Sequence, residues 1–256
     1  VLKYPHIAMT GPAQRGYVAS VSSLFNDGST SSYQAWKPFD GSIANDVDGW
    51  LSDNGPVTYS TSSPYNATSA TGNSLSGITG GVGSRLGAWL KLELPHKIKF
   101  SEARLYGRNA ATTERIDAGY IYGSNDDTNW TQIGEISVSG ISSGNLSTYT
   151  DIVPLVISST DTTNSYKYFI VQPTSLTHAY GYAGIGQMEY FGTGVDSIPI
   201  QIGGGNIDKV ANFRVYDKFI EKDQALEIWN AQKEEFGRAK PQMVLQQGKL
   251  GIGTDA

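Results

Sequence analysis

The three histidines, His6, His96 and His178, lie far apart in the chain, and none falls in a metal-ligand spacing such as H-E-x-x-H. Gly203-Gly204-Gly205 is a lone glycine run; no Lys-Ser/Thr pair follows it, so it is not a phosphate loop. The adjacent acids Asp126-Asp127 sit between Asn125 and Thr128, where a turn with solvated carboxylates is expected rather than the acid pair of a glycosidase. With no cysteine there is no disulfide framework, no thiolate metal site and no cysteine nucleophile. The glycosylation-acceptor triplets Asn66-Ala67-Thr68, Asn129-Trp130-Thr131 and Asn145-Leu146-Ser147 are what chance supplies in so Ser/Thr-rich a chain. These residues predict a protein that is not an enzyme, and they turn attention to binding.

The elements that must carry a binding site read as antiparallel β from Lys3 to about Gly194: short alternating runs separated by Gly/Asn/Asp/Ser clusters. Trp89-Leu90-Lys91-Leu92-Glu93-Leu94 alternates and stops at Pro95. Lys97 to Tyr106 follows with Ile98, Phe100, Ala103 and Leu105 as inward positions. Tyr120-Ile121-Tyr122-Gly123-Ser124 ends at Asn125-Asp126-Asp127, a turn whose Asx side chains tolerate left-handed backbone. Tyr166 to Val171 and Gly186 to Phe191 close the series. Residues 60 to 85, nearly without apolar side chains, predict a long surface loop.

The 256 residues suffice for one large domain, or one domain with a smaller appendage, without cross-links. A net charge of -5 with scattered Lys and Arg argues against nucleic acid as a partner. No apolar stretch is long enough to span a membrane. The start, Val1-Leu2-Lys3-Tyr4-Pro5, is neither a signal peptide nor an initiator-Met start, as expected of a piece of something longer.

Six ordered blocks in the first 194 residues resemble the discoidin family, the coagulation factor V/VIII C-type domains, and the related family 32 carbohydrate-binding modules. They are Ala35-Trp36-Lys37-Pro38-Phe39-Asp40-Gly41 with Trp50-Leu51-Ser52 after Ala19-Ser20; Trp89 to Leu94; Leu105-Tyr106-Gly107-Arg108; Tyr122 to Thr131; Tyr166 to Ile170; and Ile185 to Gly192. The resemblance implies an all-β fold, a discoidin-like (galactose-binding-like) jelly-roll sandwich over residues 1–194, with Trp36, Trp50, Trp89 and Trp130 in its core. It departs from many members in lacking the disulfide that closes their ends, and the stretch at 60–85 reads as an insertion.

Two sites follow from that resemblance. Family 32 modules commonly hold a structural calcium on the loop after the Phe-Asp-Gly block, which points to Asp40 and Glu189, with Asp46 and Asp48 on the same loop. Ca2+ needs about six to eight oxygens, and carboxylates with carbonyls on a turning loop supply them. Ligands bind at loops on one end of the sandwich. Arg108, Asn109 and Arg115 would there bridge sugar hydroxyls from an exposed rim, and the loop carrying His178, Tyr180 and Tyr182 would cover the C–H face of the ring.

After Gly194 the composition shifts: seven basic and seven acidic residues fall between Asn206 and Lys240. Residues 195–256 therefore predict a small strand–helix extension, with a helix over Asp223 to Phe236 presenting Leu226, Trp229 and Phe236 and ending at Gly237. The tail returns to β character in Met243-Val244-Leu245 and Lys249 to Gly253. Ile207 to Lys218 resembles the end of laminin-G-like jelly rolls, and Leu250-Gly251-Ile252-Gly253-Thr254 resembles a segment of viral fibre proteins. The resulting expectation is a viral structural protein of capsid or fibre type, on the virion surface or otherwise extracellular. Its partners would be a glycan or cell-surface ligand and other virion subunits, with oligomerisation through the tail. The alternatives are a carbohydrate-binding module of a secreted bacterial enzyme and a capsid-decorating protein that binds no sugar.

Overall fold

The computed structural model describes residues 1–26, 28, 32–42, 48–53, 59–60, 65–68, 73–108, 116–137, 154–177, 181–195, 223, 226–227, 230, 242–246 and 249–253. Its organising strand is β7 (Leu90–Tyr106). The expectation that this run stops at Pro95 is corrected: the strand continues through the proline and changes partners there. Pro95 has no N–H to give a ladder, and the pairing register shifts around it, as a proline inside a sheet requires. Before the shift β7 pairs with β3 (Tyr17–Val21) and β11 (Tyr166–Leu176); after it, with β13 (Gln187–Gly194) and β10 (Leu155–Ser158), β11 keeping one last pair there, Tyr166 with Ile98. One strand thereby belongs to both layers of a sandwich.

The first layer continues from β11 to β8 (Ile116–Ser124) and β9 (Thr131–Ser137), with β2 (Ala13–Gln14) beyond β3; the second adds β1 (Leu2–Tyr4) outside β13. Period-two alternation sends Leu90, Leu92 and Leu94, then Ile98 and Phe100, into the space between them; a bulge in the pairing with β13 shifts the phase by one residue, after which Ala103 and Leu105 point inward. Phe169 of the first layer meets Phe100 and Tyr190 of the second at ring-centre distances of 5.8 and 5.1 Å. Aromatic pairs at such spacings add roughly 0.5–1.5 kcal/mol each beyond the area they bury.

The loop expected over residues 60 to 85 is corrected in its second half. Strands β5 (Ser74–Ile78) and β6 (Gly83–Leu86) form a hairpin, and its only large apolar residues in β5, Leu75 and Ile78, are buried on the outer face of the first layer against Tyr122, Trp130 and Ile170. Gly77 makes this possible: at φ 76° it lies against the Thr128 carbonyl, where a Cβ would collide. Of the four tryptophans expected in the core, Trp50 and Trp130 are buried. Trp36 packs half-buried against the main core, and Trp89 belongs to the outer cluster.

The turn after β8 forms as expected. Asp127 has φ 60° and pairs with Lys91 at 2.7 Å. Asp126 accepts the backbone N–H groups of Asn129 (2.7 Å) and Thr128 (3.0 Å). Those hydrogen bonds, Asn129's first, hold its carboxyl well below the usual carboxylate range.

The chain divides into two compact units, residues 1–198 and 199–256. In the second, Asp223, Leu226, Glu227 and Asn230 are helical, whereas Trp229 and Phe236 of the expected helix lie outside the described residues. Strands β14 (Gln242–Gln246) and β15 (Lys249–Gly253) pair as an antiparallel hairpin. Among the described residues no helix is long and apolar enough to cross a membrane.

Candidate functional site

At the end of the sandwich where β7 finishes and β13 begins, four loops meet around a short central segment. Its core is β4 (Trp50–Leu51), paired with β12 (Gly184–Ile185). Trp50 is buried and its indole N–H donates to the Ser23 carbonyl at 3.0 Å, fixing the chain that leaves β3. Two residues on, the Phe25 N–H donates to the Leu51 carbonyl at 2.9 Å. On the other side Ser52 and Ala183 are joined twice: Ser52 N–H donates to the Ala183 carbonyl and Ala183 N–H to the Ser52 hydroxyl, both at 2.9 Å. Tyr182 immediately precedes Ala183.

The side chains so placed form a continuous aromatic row. The Phe25 ring is 5.4 Å from Tyr33 at an interplanar angle of 87°, and 5.8 Å from Tyr182 at 44°. The Arg108 guanidinium carbon lies 4.8 Å from the Tyr33 ring centre, within cation–π range. The structure therefore brings together two residues expected at the rim, Arg108 and Tyr182. It corrects the exposure expected for Arg108, which is 3% exposed and packed under the row rather than standing in solvent. Its chain is pinned because Gly186, held by an N–H bond to the Tyr106 carbonyl at 2.9 Å, packs directly on Gly107 and Arg108. Asn109, Arg115, His178 and Tyr180 lie outside the described residues. Phe25 and Tyr33 carry no motif in the sequence because they fall in the gap of the first family block, between Ala19-Ser20 and Ala35. The signal for them was an aromatic at each end of the stretch from Phe25 to Tyr33, otherwise Asn, Asp, Gly, Ser and Thr.

The calcium implied by the family resemblance meets a mixed donor set. Asp40 follows the 3-10 turn Lys37–Phe39, with the Ser42 N–H on its Oδ1 at 2.7 Å. Burial pushes its carboxyl above the usual range, the Ser42 N–H opposes the rise, and the nearby Asp48 adds to it. Asp48 accepts from the Lys37 ammonium at 3.2 Å and the Ser42 hydroxyl at 3.0 Å. Glu189 has both oxygens engaged, one by Lys3 at 3.3 Å and one by the Tyr106 hydroxyl at 3.2 Å. Gln187 differs in being buried with an Oε1 that accepts no hydrogen bond; like Glu189, it lines the recess of Phe39 and Gly41, which flank Asp40. An oxygen in that state fits a hard cation. Asp46 lies outside the described residues, among which no three acidic or histidine side chains cluster as a metal site.

The model of the F5/8 type C domain matches residues 19–188, and the chain belongs to this family. Curated proteins yield no match. Among solved structures, a CBM32-5 module from Clostridium perfringens in complex with GalNAc-β-1,3-galactose is 16% identical, with 69% of this chain and 95% of that one covered and a TM-score of 0.43. The family 32 module of Clostridium perfringens NanJ in complex with galactose is 15% identical over 68% and 93%, at 0.42. A chitosan-binding module from Paenibacillus sp. IK-5 in complex with chitotriose is 20% identical over 69% and 97%, at 0.41. The capsid or fibre setting finds no support in the comparisons. The family match ends at residue 188, and the laminin-G-like and fibre resemblances of the tail have no counterpart in it.

Proposed function

We propose that the domain is an extracellular carbohydrate-binding module, of the kind carried by secreted bacterial enzymes, and that it holds a glycan at the loop end of the sandwich. The observation that supports this reading is the row Tyr182–Phe25–Tyr33–Arg108, which gathers rings and a guanidinium from separate loops. Half-buried Tyr182 and Phe25 offer ring faces to the C–H side of a sugar. Arg108 acts from behind, orienting Tyr33. Each hydrogen bond to a hydroxyl replaces one to water and leaves about 0.5–1.5 kcal/mol, so a single site binds in the millimolar to micromolar range.

Titration of the full chain with galactose, GalNAc-β-1,3-galactose and chitotriose, backed by a glycan array, tests the reading. Tyr182→Ala should weaken binding about tenfold with little change in melting temperature. A parent protein that binds no glycan would overturn the proposal in favour of a decorating role without sugar binding.

Calcium belongs to this proposal as a structural ion held by Asp40, Gln187 and loop carbonyls. At a hundredfold excess over its Kd the ion would add about 2.7 kcal/mol to stability. Chelator should then lower the melting temperature by roughly 5–10 °C, and added calcium should restore it. Asp40→Ala and Gln187→Ala should each abolish that response, whereas Glu189→Ala should keep it. Melting curves indifferent to chelator would dispose of the ion.

A further inference from the structure

We infer that Ser52 is a positioning residue for the glycan site, holding the Tyr182 arm in register with the Phe25 arm without touching the ligand; the inference rests on the functional reading above. The two aromatic arms come from distant parts of the chain, and a ring pair 5.8 Å apart is useful as a platform only while both stay seated. Neither arm is a regular strand at its aromatic residue. Both are hung on the segment Trp50-Leu51-Ser52-Asp53. The Phe25 arm is tied by Trp50 to Ser23 (3.0 Å), by Phe25 to Leu51 (2.9 Å) and by the Asp53 N–H to the Ser23 hydroxyl (3.3 Å). The Tyr182 arm is tied at its near end by the double Ser52–Ala183 clasp, and further back by Tyr59 N–H to the Gly181 carbonyl at 3.2 Å.

In that clasp only one bond depends on a side chain. The Ser52 hydroxyl, on a residue with no exposed surface, accepts the N–H of the residue that follows Tyr182. Removing it leaves a buried N–H without its acceptor, and a backbone donor in that state is satisfied most easily by swinging the arm out to water. The apparent affinity then falls in proportion to the fraction of molecules that keep the arm seated. Leu51, Trp50 and the Phe25 arm keep every bond they had.

The test uses the full chain and the same three sugars. Ser52→Ala should weaken binding about tenfold and speed hydrogen exchange at the Ala183 amide, with exchange in β7 and β11 unchanged. Ser52→Thr, which keeps the hydroxyl, should restore both. Should Ser52→Ala fail to fold, Ser52→Cys keeps the volume with a poor acceptor and should show the same pair of effects. On a multivalent glycan surface, where avidity keeps weak variants measurable, Ser52→Ala added to Tyr182→Ala should cause no further loss. Full additivity there, or parent-like binding by Ser52→Ala while Tyr182→Ala has lost it, overturns the positioning role and leaves the glycan site standing. If Tyr182→Ala also binds as the parent does, the site reading itself has failed.

Discussion

Replacing Gly49 by alanine is expected to lower the melting temperature by about 5–15 °C and to weaken the glycan site with it. Gly49 has φ 110°, a backbone conformation that L side chains rarely adopt, and a Cβ there would collide with the Ile185 carbonyl and lie 2.9 Å from Gly186 Cα. The neighbours are backbone, so they cannot rotate away. Left-handed strain of roughly 1–2 kcal/mol and overpacking of roughly 1–3 kcal/mol give a cost of about 2–5 kcal/mol. Against a typical 5–15 kcal/mol for a domain that is a large fraction. The position also explains the effect on function: Gly49 leads directly into Trp50, and Ile185 is the partner of Trp50 in β12. Relief of the collision must separate the two strands that carry both aromatic arms. A thermal melt within about 2 °C of the parent would show that the loop absorbs the methyl group.

Lys37→Met should cost about 3–5 kcal/mol, the usual consequence of removing the cation from a buried ion pair. The Lys37 and Asp48 side chains are only 12% and 11% exposed, and their ion pair spans 3.2 Å. The lysine stem also lies beside Trp36, with its ammonium 5.8 Å from the ring centre. Methionine keeps most of the packing and removes the charge, so the loss reports electrostatics. Asp48→Asn in the same background should recover at least half of it, because a neutral amide no longer needs a cation. Urea denaturation of the two variants decides: a cost below about 1 kcal/mol for Lys37→Met, or no recovery in the double variant, would remove Asp48 from the list of buried charges that matter. Lys37 opens the turn that Asp40 closes, so calcium binding should be measured on both variants.

How far the sequence reaches depends on the range of the interaction that carries each feature. Alternation from Leu90 to Leu94 and from Ile98 to Phe100 placed strand residues on inner faces, because a period of two is a local property of extended backbone; beyond the bulge against β13 the apolar types of Ala103 and Leu105 mark the inner face. The Asn125-Asp126-Asp127 turn was legible for the same reason: an Asx side chain bonds its own neighbours, and Asp126 does so with Thr128 and Asn129. The six ordered blocks were enough for the family.

What tertiary structure decided involves partners distant in sequence. Two apolar residues in β5 are too few to predict a strand, but Tyr122, Trp130 and Ile170 offer them a surface, and the hairpin forms there. Gln187 and Glu189 alternate onto the same side of β13, so the sequence does not say which side-chain oxygens are engaged. Strand register decides it: it sets Glu189 beside Lys3 and Tyr106 and leaves the Gln187 oxygen without a hydrogen bond. Arg108 read as a rim donor because it follows a strand, whereas the packing of Gly186 and Tyr33 puts it underneath. The aromatic row, with Phe25 and Tyr33 in it, exists only because Trp50-Leu51-Ser52 bonds to loops more than twenty residues away on one side and more than a hundred on the other. Periodicity records which way a side chain points relative to its own strand; only the closed sandwich determines what it finds there.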